Sequence, residues 1–177
     1  MSNEKPRNDL QRRAIEDLVR IEAEVGKLLP LTHEALLRPA TNGAWSPSEF
    51  GLHIVLTLED CCVRFQQALS DSSIQSLQPT WTQKMAQKAV LVTFRFPTGK
   101  QADPGVTPQI MLDRETILHR LISSRDSLLD LERKLQRGDS QPFVAHPILG
   151  PMSFYSWIRV LLIHLLHHKL LMSKGLG

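Results

Sequence analysis

Cysteine is nearly absent from this chain: two in 177 residues, side by side at Cys61-Cys62. An adjacent pair builds no disulfide framework and no CxxC metal knuckle, so a reducing, cytoplasmic setting is expected and the pair reads as buried packing. A membrane-length apolar run is also missing. The strongest candidate, from Trp157 to Met172, is interrupted by Arg159 and Lys169. The opening MSNEKPRNDLQRR lacks the apolar core of a secretion signal. Charge of one sign is scarce as well. The formal net charge is +3, no basic residues cluster, and the first thirty residues mix both signs, so neither nucleic acid nor a membrane is an expected partner. No glycine-rich phosphate loop and no nucleophile elbow occurs. What remains is an ordinary globular composition, 42% hydrophobic and 22% charged, of a length that suits one domain over residues 1–177.

The periodicity is helical. Leu10, Ala14, Leu18, Ile21, Val25 and Leu28 recur at three- and four-residue steps, which predicts an amphipathic helix from Asp9 to Leu29, closed by Pro30. A connector follows, with Pro39 and Asn42-Gly43 as turn signals. Ser46-Pro47-Ser48-Glu49 is a capping box with proline at the first helical position, and it opens a helix to about Leu69. A serine-rich break separates this from residues 82–95, helical in their first part, with β-favouring residues at Val90–Phe94. The stretch 97–108 carries three prolines and two glycines, and a loop of that kind in a compact domain borders function often enough to be expected at a site. Asp113 caps a helix to about Gln136, and Gly138 ends it. His146–Pro151 reads as a turn before the last helix, which Ser153 caps and Gly175 stops. The expected fold is all-α, a four-helix bundle with a crossover connection.

Three of the seven histidines lie in that last helix. At about 100° per residue, Trp157, Leu161, His164, His168 and Leu171 share a stripe, while His167 points roughly 100° away from His168. Two imidazoles one turn apart can share a metal ion, each at about 2.0–2.1 Å. A histidine pair on a helix is by itself equally compatible with a structural or solvated role, so a third ligand has to come from elsewhere. On the Ser46–Leu69 helix, Glu49, His53, Thr57, Asp60 and Arg64 form a narrow polar stripe on an otherwise apolar surface. That stripe is either the solvent face or the lining of an internal cavity.

Trp45-Ser46-Pro47-Ser48-Glu49 with His53, and His146-Pro147 with Gly150, Trp157, His164, His167 and His168, resemble the two signatures of the DinB-like superfamily, W-S-x-x-E-x-x-x-H and HP-x-x-G…W…H-x-x-H-H. The likeness spans roughly residues 10–172. It implies an up-up-down-down four-helix bundle and a three-histidine metal site, which carried over by position is His53, His164 and His168. Leu171 departs from the family pattern, which often has glutamine there.

Three neutral imidazoles leave open coordination positions, an arrangement suited to catalysis. Zn²⁺ and Ni²⁺ suit imidazole best, and Fe²⁺ is compatible. Such an ion acidifies a bound water, polarises a carbonyl or binds a thiolate. Glu49 and Asp60, a turn or two from His53, are candidates for imidazole support or acid–base work, Glu49 being the catalytic candidate; Asp60 pairs equally well with Arg64. Trp45 and Trp157 read as core aromatics able to wall the pocket, His146 as a turn residue, and His33 and His119 as surface residues. What the resemblance implies about activity is a transferase or isomerase using a low-molecular-weight thiol; a metal-dependent hydrolase and a non-catalytic stress-response binding module are the alternatives. The substrate is a small molecule that the sequence does not specify. Finally, Leu162, Ile163, Leu166 and Leu170 leave the far side of the last helix apolar, from which a homodimer is expected.

Overall fold

The computed structural model describes residues 4–39, 45–71, 77–93, 103–137 and 142–173, with side chains from Asp9 onward. Four long helices form the body: α1 (Glu4–Leu28), α3 (Pro47–Ser70), α5 (Arg114–Arg137) and α6 (Phe154–Ser173). Two lesser helices, α2 (His33–Leu37) and α4 (Trp81–Thr93), lie in the connections, with a 3-10 turn at Pro104–Val106. Strands β1 (Val144–His146) and β2 (Gly150–Met152) pair antiparallel, with Val144 opposite Met152 and His146 opposite Gly150.

The helix starts follow from their caps. Ser46 Oγ accepts from the Glu49 amide at 3.3 Å, and Glu49 Oε2 accepts from the Ser46 amide at 2.8 Å. This reciprocal pair satisfies donors that have no intrahelical partner. Asp113 Oδ1 accepts from the Thr116 amide at 2.7 Å and opens α5. Ser153 Oγ accepts from the Ser156 amide at 3.3 Å, so α6 begins at Phe154, nearly a turn ahead of its apolar stripe.

Side-chain partners fix the helix directions. Asp17 pairs with Arg159 and Glu24 with Lys169, so α1 and α6 run parallel. Glu22 pairs with Arg125, and Gln11 reaches Glu132, so α5 runs against α1. Ser48 bonds Leu112 and Glu59 pairs with Arg120, so α3 and α5 are parallel. In chain order the helices run up, down, down, up. The two parallel pairs of an up-up-down-down bundle are present, α6 with α1 and α3 with α5, but the chain starts one helix later in that cycle. The short connection through α2 turns the chain straight back, and the crossover carrying α4 joins the parallel pair α3 and α5.

Two local readings change. Val90–Thr93 stays helical although its residues favour strand. Val90 is buried in the core, and Gln87 Nε2 on the same helix donates to Leu149 O and Pro151 O at 2.9 Å each; docking outweighs propensity. The expected turn at His146–Pro151 is a hairpin. His146 Nδ1 accepts from the amides of Ile148 and Leu149 at 3.1 and 3.2 Å. Gly150 has φ +73°, and a Cβ there would lie 2.4 Å from Gln83 Nε2, so glycine is required twice over.

The apolar face on which the homodimer was drawn is covered by the chain itself. Leu162 and Ile163 are fully buried in the core that α1 and α4 build over α6, Leu166 is half-buried, and Leu170 alone of the four is exposed. Leu162 and Ile163 therefore offer no apolar surface to a second copy.

The α1–α6 pairing has a pH signature. Hydrogen bonds from Lys169 and then Lys27 hold the Glu24 carboxyl down at about 2, below its usual 4.5. A depressed carboxyl contributes stability that is complete above its unfolded pKa and is lost as pH falls toward its folded value. Glu24→Gln is expected to cost roughly 1 kcal/mol at pH 7, a discounted figure because both lysines are well exposed. That difference from wild type should narrow between pH 4.5 and about 2. Denaturant unfolding of both proteins at pH 7 and pH 3 checks this; an equal gap at both would assign the cost to packing.

Candidate metal centre

Antiparallel packing of α3 on α6 sets the site. Phe65 lies edge-on to Trp157 at 5.5 Å, and three turns earlier on α3 His53 meets His164. The capping box fixes where α3 starts, and the α6 cap fixes the phase of His164 and His168. His53 Nε2 and His164 Nε2 are 2.9 Å apart. One nitrogen from each of His53, His164 and His168 lies within 4.8 Å of the others, the only such group of three ligand-type side chains among the described residues.

The surroundings are apolar. Trp45 packs on His53 at 4.7 Å and stacks on His168 at 6.2 Å with 20° between planes, and Phe50 lies 5.4 Å from His168. Burial pushes all three imidazoles down: His53 below its usual value, His164 well below it with help from neighbouring His168 and His53, and His168 to about 4. At neutral pH all three are uncharged, the form that ligates a metal.

Hydrogen bonding sets the tautomer. His53 Nδ1 lies 2.7 Å from the carbonyl of Val106. A carbonyl only accepts, so Nδ1 carries the proton and Nε2 presents a lone pair to the cluster. His164 Nε2 then donates to it. An ion held tetrahedrally at about 2.0–2.1 Å would put two such nitrogens about 3.3 Å apart, so the His53–His164 pair would open by a few tenths of an ångström to admit it. Three neutral imidazoles on two rigid helices, one already oriented by a carbonyl, fit a divalent metal ion.

The other residues singled out in the sequence take varied places. Glu49 serves the cap, with Ser46 N and Ser46 Oγ both bonded to Oε2. Asp60 receives Arg64 Nε at 2.9 and 2.7 Å, the one-turn ion pair rather than a partner of the cluster. His167 lies beside His168, ring centroids 6.0 Å apart, but outside the group of three. His146 packs against Trp157 at 4.9 Å and organises the hairpin; burial, then the Arg64 charge, pushes it down to about 4. His33 and His119 are exposed, and Cys61 and Cys62 are buried, with thiols that burial pushes up and makes unreactive. Of the loop 97–108, residues 97–102 lie outside the described residues, Lys100 among them; Asp103–Val106 packs on α3 and supplies the carbonyl for His53.

Two parts of the centre carry little signal in the sequence. One is that carbonyl, which any residue at 106 would carry. The other is Ser48, fully buried, whose hydroxyl donates to Leu112 O at 2.7 Å and accepts from Leu112 N at 2.9 Å. A serine on the inward face of the first turn, where an apolar residue would pack, is the only hint.

Residues 17–172 match the model of the DinB superfamily, and the chain belongs to it. Among solved structures it resembles YfiT from Bacillus subtilis, described as a probable metal-dependent hydrolase with an unusual four-helix bundle topology. That likeness has a TM-score of 0.58 at 17% identity and covers 100% of this chain and 91% of the other. No curated protein matches the sequence. No helix among the described residues is long and apolar enough to cross a membrane.

Proposed function

We propose that this protein binds one divalent ion, Zn²⁺ or Ni²⁺ with Fe²⁺ as the third choice, through His53, His164 and His168, and is a metal-dependent enzyme acting on a small molecule in the cytoplasm. The observation that carries the reading is the convergence of three neutral imidazoles, with the free nitrogen of His53 turned inward by the Val106 carbonyl. An ion with open positions supplies Lewis acidity and an acidified water at neutral pH. Around it, Trp45 and Phe50 restrict water and strengthen polar interactions with a bound substrate. Glu49 is the proposed proton acceptor: both of its cap bonds fall on Oε2, so Oε1 takes no part in the cap.

The likeness to YfiT favours hydrolysis, and the family resemblance favours a transferase or isomerase that uses a low-molecular-weight thiol. Protein prepared without a histidine tag is expected to carry about one equivalent of metal by elemental analysis. Substrate screens run with and without added thiol then separate the classes: turnover in buffer alone marks a hydrolase, strict thiol dependence a transferase or isomerase. Metal without turnover in either would leave a binding module. A tag-free protein that takes up no divalent ion would overturn the proposal.

A further inference from the structure

α3 grips the segment 103–112 at two points. His53 Nδ1 donates to Val106 O at 2.7 Å, and five residues earlier on the same helix Ser48 Oγ bonds both the amide and the carbonyl of Leu112. Just ahead of the first anchor the chain is shaped by Asp103. Its Oδ1 accepts from the Gly105 amide at 2.9 Å, and its carbonyl accepts from the Val106 amide at 3.0 Å and from Thr107 Oγ1 at 3.0 Å. Those bonds curl Pro104–Val106 into one 3-10 turn, the curl that presents the carbonyl of Val106 to the imidazole. Neither Ser48 nor Asp103 belongs to the group of three histidines.

We propose that Ser48 and Asp103 are positioning residues of the metal centre, acting through the Val106 carbonyl to hold His53 in its Nδ1–H tautomer with Nε2 aimed at the ion. The physical argument is one of preorganisation. A neutral imidazole free to choose presents a lone pair at either nitrogen, and freezing the correct one before metal arrives removes that cost from binding. Ligation at Nε2 also makes Nδ1–H a stronger donor, so the ion tightens the bond to Val106. Metal binding and ordering of the 103–112 segment are thereby linked in both directions.

The inference rests on the metal reading above, and the experiment keeps the two apart by measuring the tautomer without metal. Long-range ¹H–¹⁵N spectra of metal-free protein should show His53 protonated at Nδ1. Asp103→Ala should mix the tautomers, and Asp103→Asn, which keeps the Oδ1 acceptor, should restore the wild-type signal. Zn²⁺ affinity, read by competition with a chromophoric chelator, should fall about tenfold in Asp103→Ala and up to about a hundredfold in Ser48→Ala. Asp103→Asn should bind as wild type does. With His53 already replaced by alanine, Asp103→Ala should cause no further loss. Because Asp103 is exposed, its alanine variant should melt like wild type, which keeps the test sound even if Ser48→Ala fails to fold. Amide exchange at Val106 and Thr107 should slow on adding Zn²⁺. A His53 tautomer and Zn²⁺ affinity unmoved by Asp103→Ala would overturn the inference while leaving the metal site standing. Wild type with the correct tautomer and no Zn²⁺ uptake would instead overturn the metal reading.

Discussion

His164→Ala is expected to empty the site. His164 touches both of the others: its Nε2 is 2.9 Å from that of His53, and its ring centroid is 4.5 Å from that of His168. Removing it leaves two donors on different helices and a void beside them. Two imidazoles hold a divalent ion far more weakly than three, and the loss in affinity should be at least about a thousandfold, or about 4 kcal/mol. His53→Ala and His168→Ala should behave alike, whereas His167→Ala should retain the ion, since that ring lies outside the group of three. Elemental analysis of the four variants, each checked for folding by circular dichroism, decides the matter. Metal lost from His167→Ala and kept by His168→Ala would mean that α6 presents the other face.

That contrast rests on features unequally legible from the chain. Three of the four long helices announce themselves by caps, because Ser46, Asp113 and Ser153 satisfy donors that only a few residue types can reach, and α1 by its periodicity. The histidines are equally plain, since the one-turn spacing of His164 and His168 is a property of sequence. What joins them to His53 is the antiparallel packing of α3 on α6, and one chain's periodicity does not contain it. The polar stripe on α3 shows the limit. Its five members look alike on a helical wheel, yet Glu49 closes a cap, His53 enters the cluster and Asp60 holds Arg64. The wheel gives direction and leaves the partner open.

The misread face of α6 has a different cause. A helix apolar on all sides belongs in the interior, and α6 is such a helix: residues 160–163 and 165 are all buried. Assuming that one side must meet solvent made Leu162 and Ile163 look like an interface. The cover comes from α1 and α4 together, and the last residues of α4 are ambiguous in the sequence because β-branched side chains favour strand in isolation. Gln87 and Val90 hold α4 over the hairpin and the core, a packing that the periodicity of either helix alone does not contain.

Phe65→Ala should produce the largest loss of stability, and it should leave metal binding in place. Phe65 has no exposed surface. Its ring stands edge-on to Phe154 at 5.3 Å and 90°, and to Trp157 at 5.5 Å and 77°. Truncation removes both aromatic contacts and leaves a cavity that rigid neighbours fill poorly, at a cost of about 3–5 kcal/mol. The position is also where α6 leaves the hairpin, so the damage should spread to Met152 and the β1–β2 pair. The histidines lie elsewhere: His53 precedes Phe65 by twelve residues, roughly 18 Å along a helix rising about 1.5 Å per residue. Folded Phe65→Ala should therefore bind Zn²⁺ with nearly wild-type affinity. Because the ion binds only the folded form, saturating Zn²⁺ should recover about 4 kcal/mol at a thousand times the dissociation constant. Denaturant titrations with and without Zn²⁺ give both numbers. A variant as stable as wild type would remove Phe65 from the core, and one that folds yet has lost its Zn²⁺ affinity would show that the two ends of the α3–α6 interface are not independent.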